Sequence, residues 1–284
     1  MSNYIDLHIH STASDGQYTP TQLIHMAKKI GISVLAITDH DTIAGLDEAK
    51  KAAYELDIRL ISGIELDTKY PGIEGNFHIL GYGIDWKYPA LRDLCTDLSA
   101  QREGRAHRIF SYLQRNGVCP SYERVYTLAK NSVIGRPHFA RAMVEEGLVS
   151  TTSEAFERYL DTPEFQKIDR IKPHPRNAIS MIIESGGIAV LAHPSQLKLN
   201  GYSLETLLED LKRYGLGGIE CYYSTHTPKQ TQEYLSFAEK LGLYATGGSD
   251  FHGEAVKPDI CMGTGIRDSL HVPATLKILE KVNQ

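Results

Sequence analysis

The stretch YIDLHIHSTASDGQYTPTQLIHMAKKIGISVLAITDHDT, residues 4–42, holds one complete structural unit and the start of a site. "YIDLHI" (4–9) reads as a short strand, and "SVLAIT" (33–38) is an apolar run of strand length. Between them, "TPTQLIHMAKKIG" (19–31) carries helix punctuation at both ends. Thr19 suits the N-cap, Pro20 the first helical position, Gln22 the third position of a capping box, and Gly31 the stop. Leu23, Met26, Ala27 and Ile30 fall at i, i+3, i+4 and i+7, which gives the helix one apolar face. Strand, helix and strand in this order predict a parallel pair joined by a crossover helix.

Working outward, 42–56 reads as a second helix and "RLISGIEL" (59–66) as a third strand. The turn-like "DTKYPGIEGN" (67–76) then leads into "FHILGYGI" (77–84). That connection is too short for a crossover helix, so the two strands are expected to run antiparallel. Residues 90–180 read as a helical insertion or cap, with 1–89 and 181–284 as the core. Three more strands follow: "IAVLAH" (188–193), "GIECYY" (218–223) and "YATGGS" (244–249). Helices near 176–185, 203–214 and 227–241 separate them. Seven core strands with helices outside predict an α/β barrel, with an open doubly wound sheet as the alternative.

Composition narrows the function. The 284 residues are 42% hydrophobic and 23% charged, ordinary for a soluble globule. A formal net charge of -5 provides no global basic field to recruit long nucleic acid. The four cysteines form no C-x-x-C pair or secreted framework, the start lacks a signal-peptide pattern, and no apolar run is long enough to span a bilayer. A cytoplasmic protein without a membrane partner or an evident obligate protein partner is expected.

The polar residues gather at one end of the strands, where open α/β folds and barrels place their ligands. His8 and His10 share a strand face at i and i+2, and Asp15 follows in the next loop. His40 lies in "ITDHDT", Glu65 at the end of strand three, and His193 in "LAHP". Asp250 and His252 lie in "GGSDFHG", and His78 starts the antiparallel strand on the same rim. Desolvating six imidazoles and three carboxylates together would cost several kcal/mol without a compensating charge. Bound cations remove that cost. Nine ligands exceed one tetrahedral zinc, and the mixed donors suit two or three ions of Mn²⁺, Fe²⁺ or Zn²⁺, with Mg²⁺ a further possibility.

The motifs "DLHIHSTASDG", "ITDHDT", "ISGIE", "FHILGYGI", "VLAHP" and "GGSDFHG" resemble those of the PHP (polymerase and histidinol phosphatase) superfamily. The resemblance covers nearly the whole chain and is closest to the stand-alone subgroup similar to 3′,5′-nucleoside bisphosphate phosphatases. It implies a distorted (β/α)₇ barrel with a helical insertion and a Mn²⁺-favouring trinuclear site. By resemblance, His8, His10, Glu65 and Asp250 would hold one ion, and Asp15, His40 and His252 a second. Glu65 would bridge to a third ion with His78 and His193. Asp250, Glu65 and His252 would be the catalytic members. Arg102, Arg105, Arg136 and His138 look like the subgroup's phosphate grip, since an arginine fork suits phosphate oxygens. His226 is a further substrate-side candidate, as a proton donor.

These residues predict a metal-dependent phosphatase in which water activated by the ions attacks phosphorus. The expected substrate is a small phosphorylated molecule, foremost the 3′-phosphate of a 3′,5′-nucleoside bisphosphate. Three alternatives remain at this point: 5′→3′ cleavage of short oligonucleotides, histidinol-phosphate hydrolysis, and a non-catalytic nucleotide-sensing module.

Overall fold

The computed structural model describes residues 4–129 and 134–282. Seven strands form one sheet: β1 (Tyr4–Ile9), β2 (Ile32–Ile37), β3 (Arg59–Thr68), β5 (Phe77–Tyr82), β6 (Ile188–Leu191), β8 (Gly218–Tyr223) and β9 (Tyr244–Gly248). Two short strands, β4 (Glu74–Gly75) and β7 (Leu197–Lys198), pair antiparallel as a separate small sheet. The β1–β2, β2–β3, β6–β8 and β8–β9 pairs are parallel, whereas β5 is antiparallel to both neighbours. The expected hairpin reversal at 67–76 is therefore present.

The sheet curls until its edges meet, giving a nearly closed seven-stranded barrel. Beyond β9, the amide of Asp250 donates to the His8 carbonyl (2.8 Å) and that of His10 donates to the Phe251 carbonyl (3.0 Å). Gly248 permits this seam: a Cβ there would lie 2.3 Å from the His8 nitrogen. Ile5, Leu7, Ala36, Ile61, Leu80, Tyr82 and Val190 form an inner core. Leu270, Val272, Ile278 and Val282 of the C-terminal segment join that core.

The outer layer packs on α1 (Pro20–Ile30), α2 (Leu46–Glu55), α7 (Pro175–Glu184), α8 (Leu204–Arg213) and α9 (Pro228–Leu241). Helix α1 has the expected Thr19/Gln22 capping box, and Gly31 adopts the left-handed conformation at its end (φ 85°). The segment read from the sequence as an insertion holds the long α3 (Pro89–Arg115), α4 (Tyr122–Ala129), α5 (Arg136–Glu145) and the short α6 (Thr152–Ala155). Its own apolar cluster includes Ala106, Ile109, Leu113, Val125, Phe139, Met143, Leu160 and Phe165. Leu91, Cys95 and Leu98 of α3 instead join the barrel's outer layer, so α3 is shared between the two. Among the described residues, no helix is long and apolar enough to cross a membrane.

Candidate metal centre

The barrel brings all nine predicted ligands to one rim, and each is buried or nearly so. Glu65, at the end of β3, lies at the middle. Its Oε2 is 3.3 Å from His8 Nε2, 3.2 Å from His10 Nε2 and 3.0 Å from His40 Nδ1. Its Oε1 is 2.9 Å from both His78 Nδ1 and His193 Nε2. Asp250 Oδ1 lies 3.2 Å from His10 Nε2 and 3.3 Å from His252 Nδ1, and Asp15 Oδ1 lies 3.3 Å from His252 Nε2.

These spacings fit shared cations as well as hydrogen bonds. Donors about 2.1 Å from a shared ion stand roughly 3.0–3.4 Å apart in octahedral or tetrahedral geometry. His8 Nε2, both His10 nitrogens, His40 Nδ1, Asp15 Oδ1 and Glu65 Oε2 are buried without a hydrogen-bond partner. Left so, each would cost about 1–3 kcal/mol. Among the described residues, three groups of donors converge closely enough to hold an ion: His10, Asp15, His40 and His252; His8, His10 and Glu65; and His40, Glu65 and His78. His10, His40 and Glu65 each belong to two groups, so neighbouring groups share donors.

The electrostatics agree. Burial works against charge on Glu65, but the imidazoles of His40, His8 and His78 outweigh it and hold the carboxyl well below its usual range. Burial likewise opposes charge on His10, yet Asp250 and Glu65 push that imidazole up to about 9. His78 rises to about 9 because Glu65 and Asp67 overcome its burial. His252 moves the other way, to about 4, through burial and the cationic neighbours Lys257 and His10. Without metal, protons on some imidazoles stand in for cations.

Three residues at this rim have unusual backbone conformations. Asp41 (φ 56°), His193 (φ 24°) and Asp250 (φ 58°) all occupy positive-φ conformations unfavourable for side chains other than glycine. Such strain persists where surrounding bonds over-determine it. Several supporting residues escaped the sequence reading. Glu220 contacts His8, while Tyr223 and Lys257 donate to Asp250 Oδ2 at 2.7 and 2.6 Å. Asp39 binds Ser11 and Ser14, fixing the loop between His10 and Asp15. A carboxylate among the apolar positions of the strand "GIECYY" is the local feature that could have pointed to Glu220.

The substrate-side candidates separate. Arg102, expected to grip phosphate, is buried and bonded to Asp41 (Nε 2.7 Å, Nη2 2.6 Å), so its charge is committed to joining α3 to the barrel. Arg170, unpredicted, joins the same carboxylate at 2.5 Å and Asp67 at 2.9 Å. Arg105 is half-buried, with its Nε on the Ile168 carbonyl (2.8 Å). Burial and the charges of Arg136 and Arg102 press its guanidinium down to about 10. Arg136 begins α5, stacks over Phe156 and pairs with Asp161. Its neighbour Gly135 comes close to Asp15: a Cβ there would lie 3.5 Å from Oδ2. His138 Nδ1 accepts from the Gly135 amide (3.0 Å), and burial lowers the imidazole to about 4. His226 does not suit proton donation. Its Nδ1 is engaged with the Cys221 carbonyl (3.0 Å), its Nε2 is buried without a partner, and burial lowers its pKa.

A PHP domain model matches residues 6–214. The chain belongs to the PHP domain family. A 5′-3′ exoribonuclease of Haemophilus influenzae is 39% identical over 252 residues, covering 89% of this chain and 91% of the relative. A 3′,5′-nucleoside bisphosphate phosphatase of Chromobacterium violaceum is 34% identical, covering 87% of each. A solved structure from Bifidobacterium adolescentis, assigned as a metal-dependent phosphoesterase, superposes with a TM-score of 0.84. It is 30% identical, and the match covers 95% of this chain and 94% of that one. This PHP protein is accordingly a metal-dependent hydrolase of phosphate esters.

Proposed function

We propose that the enzyme removes the 3′-phosphate of a 3′,5′-nucleoside bisphosphate, using two or three divalent ions, with Mn²⁺ favoured. The observation that carries this reading is the pairing of two unlike anion sites. Orphaned imidazole and carboxylate atoms favour ions that would hold the reacting phosphate, while Arg105 and the partly exposed Arg136, which a phosphate would take over from Asp161, supply positive charge for the second. A monophosphate occupies only the first. The similarity to the C. violaceum bisphosphate phosphatase supports the same assignment.

The bound ions would supply Lewis acidity and an activated water. Within the chain, Glu65 presents one oxygen to His8, His10 and His40 and the other to His78 and His193, which suits a bridging ligand. Asp250 directs Oδ1 toward the ligands while Tyr223 and Lys257 hold Oδ2, fixing its angle. His138 stays neutral near pH 7; with Nδ1 accepting, its Nε2 carries the proton and serves as a hydrogen-bond donor. Arg105 and Arg136 orient the second phosphate and stabilise charge on its oxygens.

A second reading has its own observation. Tyr122 stacks on Tyr126 (ring centroids 4.2 Å apart) and on His107 (5.5 Å), forming an aromatic column on α3 and α4. Stacked aromatics can carry bases of a short single strand, and the H. influenzae relative is named as a 5′-3′ exoribonuclease. Side-by-side assays with Mn²⁺ decide: adenosine 3′,5′-bisphosphate, AMP, histidinol phosphate and a 5′-phosphorylated pentaribonucleotide. The bisphosphate should have the highest kcat/KM. Preference for histidinol phosphate, or turnover of none, would overturn the proposal; preference for the pentamer would establish the second reading.

A further inference from the structure

Glu220 sits in the middle of β8, fully buried and outside the nine-ligand set. Its Oε1 lies 2.9 Å from His8 Nδ1, and its Oε2 accepts from the backbone amide of His193 at 2.7 Å. His8 on β1 and His193, just beyond the end of β6, lie 185 positions apart, and their imidazoles approach opposite oxygens of Glu65.

We propose that Glu220 is a positioning residue that fixes two metal ligands at once; this rests on the reading that the nine residues hold ions. A carboxylate accepts and does not donate, so its contact keeps the proton of His8 on Nδ1. The Nε2 lone pair then faces Glu65 and Asp250, where it has no hydrogen-bond partner. Carboxylate–histidine pairs of this kind set both tautomer and ring orientation in metal sites.

The second oxygen acts through backbone. His193 is held at φ 24°, ψ 62°, a conformation an unrestrained histidine leaves readily. The bond from its amide to Oε2 is one of the restraints that hold it, and its Nε2 is thereby kept 2.9 Å from Glu65 Oε1. The β8–β9 ladder also shifts register just after Glu220, between Glu220 and Tyr222. Such bulges re-aim side chains beside functional sites. Glu220 therefore ties the His8 side of the centre to the His193 side.

Glu220→Gln tests the inference in the full-length protein, stripped with EDTA and titrated with Mn²⁺ against a competing chelator. Mn²⁺ affinity should fall about 10- to 100-fold, and the exchange-coupled Mn²⁺ electron paramagnetic resonance spectrum should give way to isolated-ion lines. The metal-free variant should melt near the wild type. Wild-type affinity and an unchanged spectrum would overturn the proposal. A measurement on the wild type stands even if the variant fails to fold. Long-range ¹H–¹⁵N spectra of Zn²⁺-loaded, ¹⁵N-histidine-labelled protein should place the His8 proton on Nδ1, the signals being assigned with His8→Gln. A proton on Nε2 would sink the idea. Wild-type protein that binds Mn²⁺ but leaves the bisphosphate intact would count against the substrate assignment alone.

Discussion

Replacing Arg170 with Met isolates the electrostatic link between the insertion and the barrel. The wild-type guanidinium is wholly buried and bridges Asp41 and Asp67 through Nη2, at 2.5 and 2.9 Å. Its Nε and Nη1 have no partner, so the arrangement already carries desolvation cost. Breaking an isolated buried pair costs about 3–5 kcal/mol because a lone charge remains. Here neither carboxylate is left alone. Asp41 keeps Arg102, and Asp67 keeps Lys172 at 3.0 Å. Met also fills much of the vacated volume and removes two unsatisfied donors. Together these reduce the expected loss to about 2 kcal/mol. Asp41→Asn should cost more, about 3–5 kcal/mol, since Arg102 would lose its nearest carboxylate inside the protein. Urea unfolding, read as a midpoint shift at constant m, measures both without the ionic screening that guanidinium adds. Arg170→Met as stable as the wild type, or more stable, would refute the reasoning and show that desolvation cancels the pairing.

Three other outcomes follow from the same geometry. In metal-stripped protein, His10 and His78 have folded pKa values near 9, above their ordinary 6.5. Their protons therefore stabilise the fold fully below about pH 6.5, and that contribution is lost as pH rises through 9. The melting temperature of stripped protein should fall across this window and that of Mn²⁺-loaded protein should not, because ions require neutral imidazoles; a flat stripped profile would count against it. Arg105→Met and Arg136→Met should each raise KM for the bisphosphate about 10- to 100-fold, the worth of one charge-assisted bond, with little change for AMP. Equal effects on both substrates would remove these arginines from the second phosphate. Lys257→Met should lower kcat by freeing Asp250 Oδ2 from one of its two donors, and unchanged kcat with unchanged Mn²⁺ affinity would show that Tyr223 suffices.

Much of this was legible in the sequence because strand periodicity and strand ends are local properties. His8 and His10 at i and i+2, and the short 67–76 connection that reverses β5, needed no tertiary knowledge. The nine candidate ligands stood out because polar groups recurred at successive strand ends. What escaped depended on distant partners. Arg102 has the residue type and helical spacing of a phosphate grip, yet Asp41, 61 positions away, claims its charge. Arg170 lies in a segment without periodicity, and its burial arises only when the insertion folds against the rim. Glu220 occupies a strand where a carboxylate is costly, but nothing local names His8 and His193 as its partners. The positive-φ backbone at His193 and Asp250 likewise has no local signal, because both residue types occur in many other conformations.

The central claim is that ions held by this rim carry out phosphoester hydrolysis. Wild type and Asp250→Asn, both stripped with EDTA, should be titrated with Mn²⁺ while bound metal and phosphate release from adenosine 3′,5′-bisphosphate are followed together. Stripped wild type should be inactive, with turnover rising in step with bound Mn²⁺, while Asp250→Asn stays folded with turnover abolished. Full turnover by stripped wild-type protein, or wild-type turnover in Asp250→Asn, would contradict the account.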